Sequence, residues 1–109
     1  MADVTIKPIT RLLVANRGEI ARRIMRSARD VGIGTVAIYA DGDAQAPFVK
    51  EADIAIALNG ETATDTYLDV AKVLAACKRA GADAVHPGYG FLSENTAFAQ
   101  AIIDSGVTW

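Results

Sequence analysis

The side chains best suited to chemistry gather in one ten-residue stretch, His86 to Asn95, which reads HPGYGFLSEN. It contains the chain's single histidine, His86, a tyrosine between two glycines (Gly88, Tyr89, Gly90), and a carboxylate at Glu94. Glycines flanking an aromatic allow backbone amides to face outward, toward a ligand carbonyl or an anion. The competing reading is a compact loop plugged by its own Tyr89 and Phe91. His86 ends an apolar run just before Pro87, where an imidazole serves either as a base near neutral pH or as a hydrogen-bonding anchor. Ser93 and Glu94 read as the start of a following helix, with Ser93 as its cap.

Other candidates are weaker. Arg22, Arg23, Arg26 and Arg29, with Asp30, occupy one arc of a single helical segment. They form either a solvated face or a subunit contact, and residue types alone do not choose. A dinucleotide site would require Gly-x-Gly-x-x-Gly after the first strand. That turn is Asn16-Arg17-Gly18-Glu19-Ile20-Ala21, with one glycine, so Gly18 reads as a turn residue. No Gly-Lys-Ser/Thr occurs, so there is no P-loop in the sequence. Cys77, the single cysteine, reads as a small buried apolar residue and excludes an intramolecular disulfide.

The elements that must position these residues alternate between strand and helix. Residues 1–10 read as an arm, and 11–109 as one domain. Arg11 to Ala15 is a short apolar strand, and Glu19 to Val31 an amphipathic helix with Ile20, Ala21, Ile24, Met25, Ala28 and Val31 on its inner face. Strands follow at Thr35 to Ala40, Asp53 to Leu58 and Ala82 to His86, with a short helical piece opened by Pro47. Thr66 and Asp69 have the form of a capping box for a helix running to Ala80. A last helix, Glu94 to Asp104, turns Phe98, Ala101 and Ile102 inward. Gly32, Gly81 and Gly106 each close a helix just before a strand. This order predicts an α/β fold, a Rossmann-like parallel sheet with flanking helices and right-handed crossovers. Ligands then belong at the carboxyl ends of the strands, where HPGYGFLSEN lies. Val107 to Trp109 reads as the start of a further strand, so the natural boundary is expected further on.

Composition narrows the class. The chain has 109 residues, 51% of them hydrophobic, and a net charge of −2, which describes an ordinary globular domain. That charge argues against a general nucleic-acid binder. No apolar run approaches the roughly 20 residues of a membrane span, and no signal sequence is evident. A cytoplasmic protein is expected.

Two strings about sixty residues apart, LLVANRGEIARRIMR (12–26) and HPGYGFLSEN (86–95), resemble the paired signatures of the biotin carboxylase N-terminal domain. The intervening TVAIYA, the Asp-rich loop and Thr66-Tyr67-Leu68 fall in the order of that family. The resemblance covers Arg11 to Trp109. It implies a pre-ATP-grasp domain, the first part of an ATP-grasp enzyme that uses ATP, bicarbonate and Mg²⁺ to carboxylate carrier-bound biotin through carboxyphosphate. Such a carbon–nitrogen ligase works with a biotin carboxyl carrier domain and a carboxyltransferase subunit. An acyl-CoA carboxylase of fatty acid metabolism is the expected setting, pyruvate carboxylase or another biotin-dependent carboxylase the alternative. By the same resemblance, Tyr89 and Gly90 contact biotin, and His86, Gly88 and Glu94 belong to the cleft wall. Arg23, Arg26 and Asp30 then lie in the contact of a homo-oligomer. The groups that hold ATP and Mg²⁺ are expected beyond Trp109, so no catalytic residue and no metal ligand is assigned here. Many relatives carry histidine and glutamate where this chain has Phe48 and Ile54, so ionic contacts near that segment are expected to differ. The rival reading is a non-catalytic assembly module built around the arginine-bearing helix.

Overall fold

The computed structural model describes residues 9–109; residues 1–8 of the expected arm lie outside the described residues. The elements run in order as strand β1 (Arg11–Val14), helix α1 (Gly18–Asp30), strand β2 (Gly34–Tyr39), a 3₁₀ turn at Asp41–Asp43, helix α2 (Pro47–Glu51), strand β3 (Ile54–Ala57), helix α3 (Val70–Ala80), strand β4 (Ala84–His86) and helix α4 (Thr96–Asp104). The four strands form one parallel sheet in the order β3-β2-β1-β4. Leu13 pairs with Val36 on one side and Val85 on the other.

Successive strand residues point to opposite faces, so β1 supplies both halves of the core. Leu13 joins Val36, Ile38, Val73, Phe98 and Ile102 beneath α3 and α4. Val14 joins Met25, Ala37, Phe48 and Val49 beneath α1 and α2. With both faces covered, the inner strands are mostly apolar, as parallel strands buried on both faces are. Phe48, at a position where the resemblance led to an expectation of histidine, is buried in this core, and Glu51 of the same helix pairs with Arg22 at 2.8 Å.

Helix boundaries depart from the sequence reading where side-chain capping decides them. The α3 cap is Asp69, whose carboxylate accepts from the Lys72 amide at 3.1 Å. Thr66 is instead buried in the preceding turn and donates to the Thr62 carbonyl at 2.6 Å. The buried face of α3 is Val73, Ala76, Cys77 and Ala80, and Leu68, ahead of the helix, is exposed. Likewise α4 begins at Thr96, not Glu94, because Asn95 rather than Ser93 accepts from the Phe98 amide, at 2.9 Å. Helix α1 closes on Gly32 (φ +80) with the Ile33 amide reaching back to Ala28 at 2.9 Å. That closure takes Val31 off the helical path, so it is exposed rather than part of the inner face.

At the base of the sheet, Asp83 accepts from the amides of Thr10 and Arg11, both at 3.0 Å, and ties β1 to β4. Thr108 forms a parallel bridge with Ala84, so the expected strand at Val107 to Trp109 is present as one bridge on the outer edge of β4. No helix among the described residues is long and apolar enough to cross a membrane.

Candidate functional site

The order in which strands are added reverses at β1: β2 and β3 lie to one side, and β4 to the other. Beside the carboxyl ends of β1 and β4 this leaves the crevice in which open α/β sheets hold ligands. Two segments meet there, Ala15 to Gly18 after β1 and Pro87 to Phe91 after β4, joined by the Ala15 amide donating to the His86 carbonyl at 2.9 Å.

Asn16, in the first segment, is 1% exposed, and its side chain reaches across to the second. Its side-chain nitrogen donates to the carbonyls of Pro87 at 2.9 Å and Tyr89 at 2.5 Å, and its oxygen accepts from the Arg17 amide at 2.8 Å. Gly88, with φ +65, wraps around that amide so closely that a Cβ would lie 2.7 Å from the Asn16 nitrogen and 2.9 Å from Ile20. Its own amide donates to His86 Nδ1 at 3.0 Å, so His86 acts here as a turn anchor and the Gly88 amide is spent within the loop. The tip is open: Tyr89 is 80% exposed, and a Cβ on Gly90 (φ +68) would meet nothing. Phe91, a non-glycine at φ +46, turns the chain back so that its ring packs 5.2 Å from Tyr67 and Leu92 is buried. The loop is thus neither fully plugged nor fully outward. Phe91 is the plug, and Tyr89 with Gly90 is the exposed part.

A second network ties the strand exits together. Asp43 accepts from Arg17 Nε and Nη2, at 2.7 and 2.5 Å, and from the Tyr67 hydroxyl at 2.6 Å. The Tyr67 hydroxyl also accepts from the Ala40 amide at 3.1 Å. The Arg17 hydrogen bond is the main cause holding the Asp43 carboxyl below its ordinary value, with Tyr67 helping against the cost of burial. Burial first, and the Asp43 bond second, push the Tyr67 phenol well above its usual range. Because the folded-state pKa of Asp43 is depressed, its contribution is fully present above the ordinary carboxylate value of 3.8 and is lost as pH falls toward the lower folded value. Asp43→Asn is expected to cost on the order of 1 kcal/mol at pH 7, discounted for the half-exposed Arg17. It should also flatten the acid limb below about pH 4; urea melts from pH 2.5 to 7 check this, and an unchanged acid limb would remove Asp43 from the account.

The remaining predicted site residues divide. An open apolar groove of about 730 Å³ runs along α1, and its walls include Ile20, Arg23, Ile24, His86, Gly88 and Tyr89. It brings the arginine-bearing helix and the glycine loop to one surface. Arg26, Asp30, Gly90 and Glu94 are not among its lining residues; Arg26, Asp30 and Glu94 are exposed elsewhere on α1 and ahead of α4. The arginines of α1 also separate by role. Arg22 pairs with Glu51 and Arg29 donates to the Glu51 carbonyl, fastening α1 to α2, while Arg23 and Arg26 stay exposed. Sequence reasoning missed Asn16, Arg17, Asp43 and Tyr67. The available signal was position: Asn16, Arg17 and Asp43 closely follow strands and Tyr67 lies in the β3–α3 connection, and parallel strands bring such loops to one end of the sheet.

Residues 8–109 match the family described as "Biotin carboxylase, N-terminal domain". The chain is 54% identical over 109 residues to the biotin-dependent acyl-coenzyme A carboxylase alpha3 subunit of Mycobacterium leprae, covering 100% of this chain and 18% of that one. It is 53% identical over 97 residues to the propionyl-CoA carboxylase alpha chain of Ruegeria pomeroyi, covering 89% and 14%. Among solved structures, Campylobacter jejuni biotin carboxylase superposes with a TM-score of 0.89 at 37% identity, covering 92% of this chain and 22% of that one. Kluyveromyces lactis urea carboxylase superposes with a TM-score of 0.90 at 47% identity, covering 94% and 9%. The chain spans less than a quarter of the length of each of these relatives. Family match, sequence identity and superposition agree with the two signatures at the β1 and β4 exits: the chain belongs to the biotin carboxylase N-terminal domain family.

Proposed function

We propose that this chain forms one wall of the biotin site in an enzyme that carboxylates carrier-bound biotin at the expense of ATP, within an acyl-CoA carboxylase. The observation that carries the reading is the exposed Tyr89–Gly90 tip, held at the β1/β4 crevice by a buried platform. A free phenol ring beside a side-chain-free backbone suits the near-planar, polar-edged ureido ring of biotin, with Ile20 and Ile24 supplying apolar surface alongside. Bound there, biotin would supply the ureido nitrogen that accepts the carboxyl group. The residues present do not suit ATP or Mg²⁺. The Gly88 amide is spent on His86, and no group of three or more His, Cys, Asp or Glu side chains that could hold a metal occurs among the described residues. In this reading both are held by other domains of the enzyme, which also bring the carrier domain and the carboxyltransferase. Exposed Arg23 and Arg26, with Asp30, are proposed to serve the contact between subunits.

The test joins this chain to the remaining domains of the Mycobacterium leprae relative. Gly90→Val in that enzyme is expected to lower kcat/KM for biotin about tenfold or more while the KM for ATP changes less than about twofold. Equal loss of both would make the loop merely structural. The 109-residue chain alone is expected to show no bicarbonate-dependent ATPase activity; finding it would overturn the division of labour.

A further inference from the structure

We infer that Asn16 is a positioning residue: its buried side-chain amide sets where Tyr89 and Gly90 stand relative to the sheet. The inference rests on the proposed biotin contact of that tip and explains what holds it in place.

The Gly88–Phe91 segment has little of its own to define it. Gly88, Gly90 and Phe91 all have positive φ, and Tyr89 between them is mostly solvent-exposed. Nothing local selects this conformation for the two glycines, which adopt many others as readily, and Phe91 persists at positive φ only where the surroundings over-determine it. Downstream, Phe91 on Tyr67 and buried Leu92 fix one end. Upstream, the restraint comes from Asn16. Its two N–H groups are spent on carbonyls two residues apart, so the chain must bend around one nitrogen. Gly88 sits at the bend, where a side chain has no space. Asparagine is matched to this task by its inventory of donors. An amide carries two donors and an acceptor, whereas a carboxylate of the same shape only accepts and would face two carbonyl oxygens. A hydroxyl would satisfy one carbonyl and leave the other buried without a partner. Because Asn16 closely follows β1, one of the two inner strands, the tip is referenced to the middle of the sheet, and Asn16 itself need not touch a ligand.

The discriminating variant is Asn16→Asp, which preserves shape and removes both donors; Asn16→Ser, with one donor and no charge, is measured beside it and carries the comparison if the aspartate variant fails to fold. In the 109-residue chain, the amide shifts and φ-dependent couplings of residues 88–90 are expected to change in both variants, while those of β2 and β3 stay. In the chimeric enzyme, kcat/KM for biotin is expected to fall about tenfold or more for aspartate and less for serine, with the KM for ATP within about twofold. Unmoved loop signals, or biotin and ATP constants that fall together, overturn the positioning role. Loop signals that move while the biotin constants stay put overturn the functional reading on which it rests.

Discussion

Gly88→Ala is expected to destabilise the chain by roughly 3 kcal/mol, whereas Gly90→Ala should cost only about 1 kcal/mol. The two glycines share nearly the same left-handed backbone, φ +65 and φ +68, so the strain of placing an L-residue there is common to both. Their surroundings differ. A Cβ on Gly88 would lie 2.7 Å from the Asn16 nitrogen, 2.9 Å from the Ile20 methyl and 3.2 Å from the Asn16 Cβ, while a Cβ on Gly90 would meet open space. Asn16 is buried and committed to two carbonyls, so it cannot yield without breaking them. For a domain of about this size, 3 kcal/mol lowers Tm by roughly 12–20 °C, well separated from the smaller shift of the Gly90 variant. Equal shifts in the two thermal melts would mean that contact with Asn16 contributes nothing.

Phe98→Ala should cost about 3–5 kcal/mol, the range for removing a fully buried phenylalanine. Phe98 is 0% exposed, belongs to the cluster that includes Leu13, Val36 and Ile102, and meets Trp109 edge-on with ring centres 5.3 Å apart. Against a total stability of about 5–15 kcal/mol this loss approaches the whole margin. Its local effect matters as much. Asn95 caps α4 through the Phe98 amide, and Phe98 seats α4 on the sheet, so together they fix the downstream end of the site loop. Hydrogen exchange in the variant is expected to quicken at 91–98 before it quickens in β2. A loss below about 1.5 kcal/mol in urea melts would show that the cavity collapses and that α4 is held by other contacts.

Much of this architecture was legible in the sequence because its signals are local. Apolar runs bounded by Gly32, Gly81 and Gly106 located the strands and helix ends, and the parallel α/β fold followed from their alternation. What was not legible depended on competition between neighbours or on distance. Thr66 and Ser93 are sound caps by residue type, yet Asp69 and Asn95 captured the helix starts because their carboxylate and amide oxygens reach the right backbone N–H. Asn16, Asp43 and Tyr67 looked like ordinary turn or helix-start residues. Their importance arises from partners 71, 26 and 24 positions away, a separation no local pattern reports. The glycine loop was found for the right reason, its place after a strand, but its inner workings were not. The Asn16 bonds to Pro87 and Tyr89 and the packing of Phe91 on Tyr67 appear only in the assembled fold.

The pairing of β1 with β4 also has a kinetic meaning. β1 meets β2 after a single helix, whereas Asn16 must find Pro87 across 71 residues, and Asp83 must find Arg11 across 72. Loop closure over that longer span costs about 1 kcal/mol more in chain entropy than closure over one helix. The β1–β2–β3 half can therefore form before β4 docks, and the candidate site, which exists only at the β1/β4 seam, is completed late. Interactions made late slow unfolding more than they speed folding. In a chevron measurement, Gly88→Ala should accordingly lift the unfolding arm and leave the folding arm almost in place. The seam that carries the proposed function is thus the part of the molecule whose lifetime, more than its rate of formation, is open to adjustment by substitution.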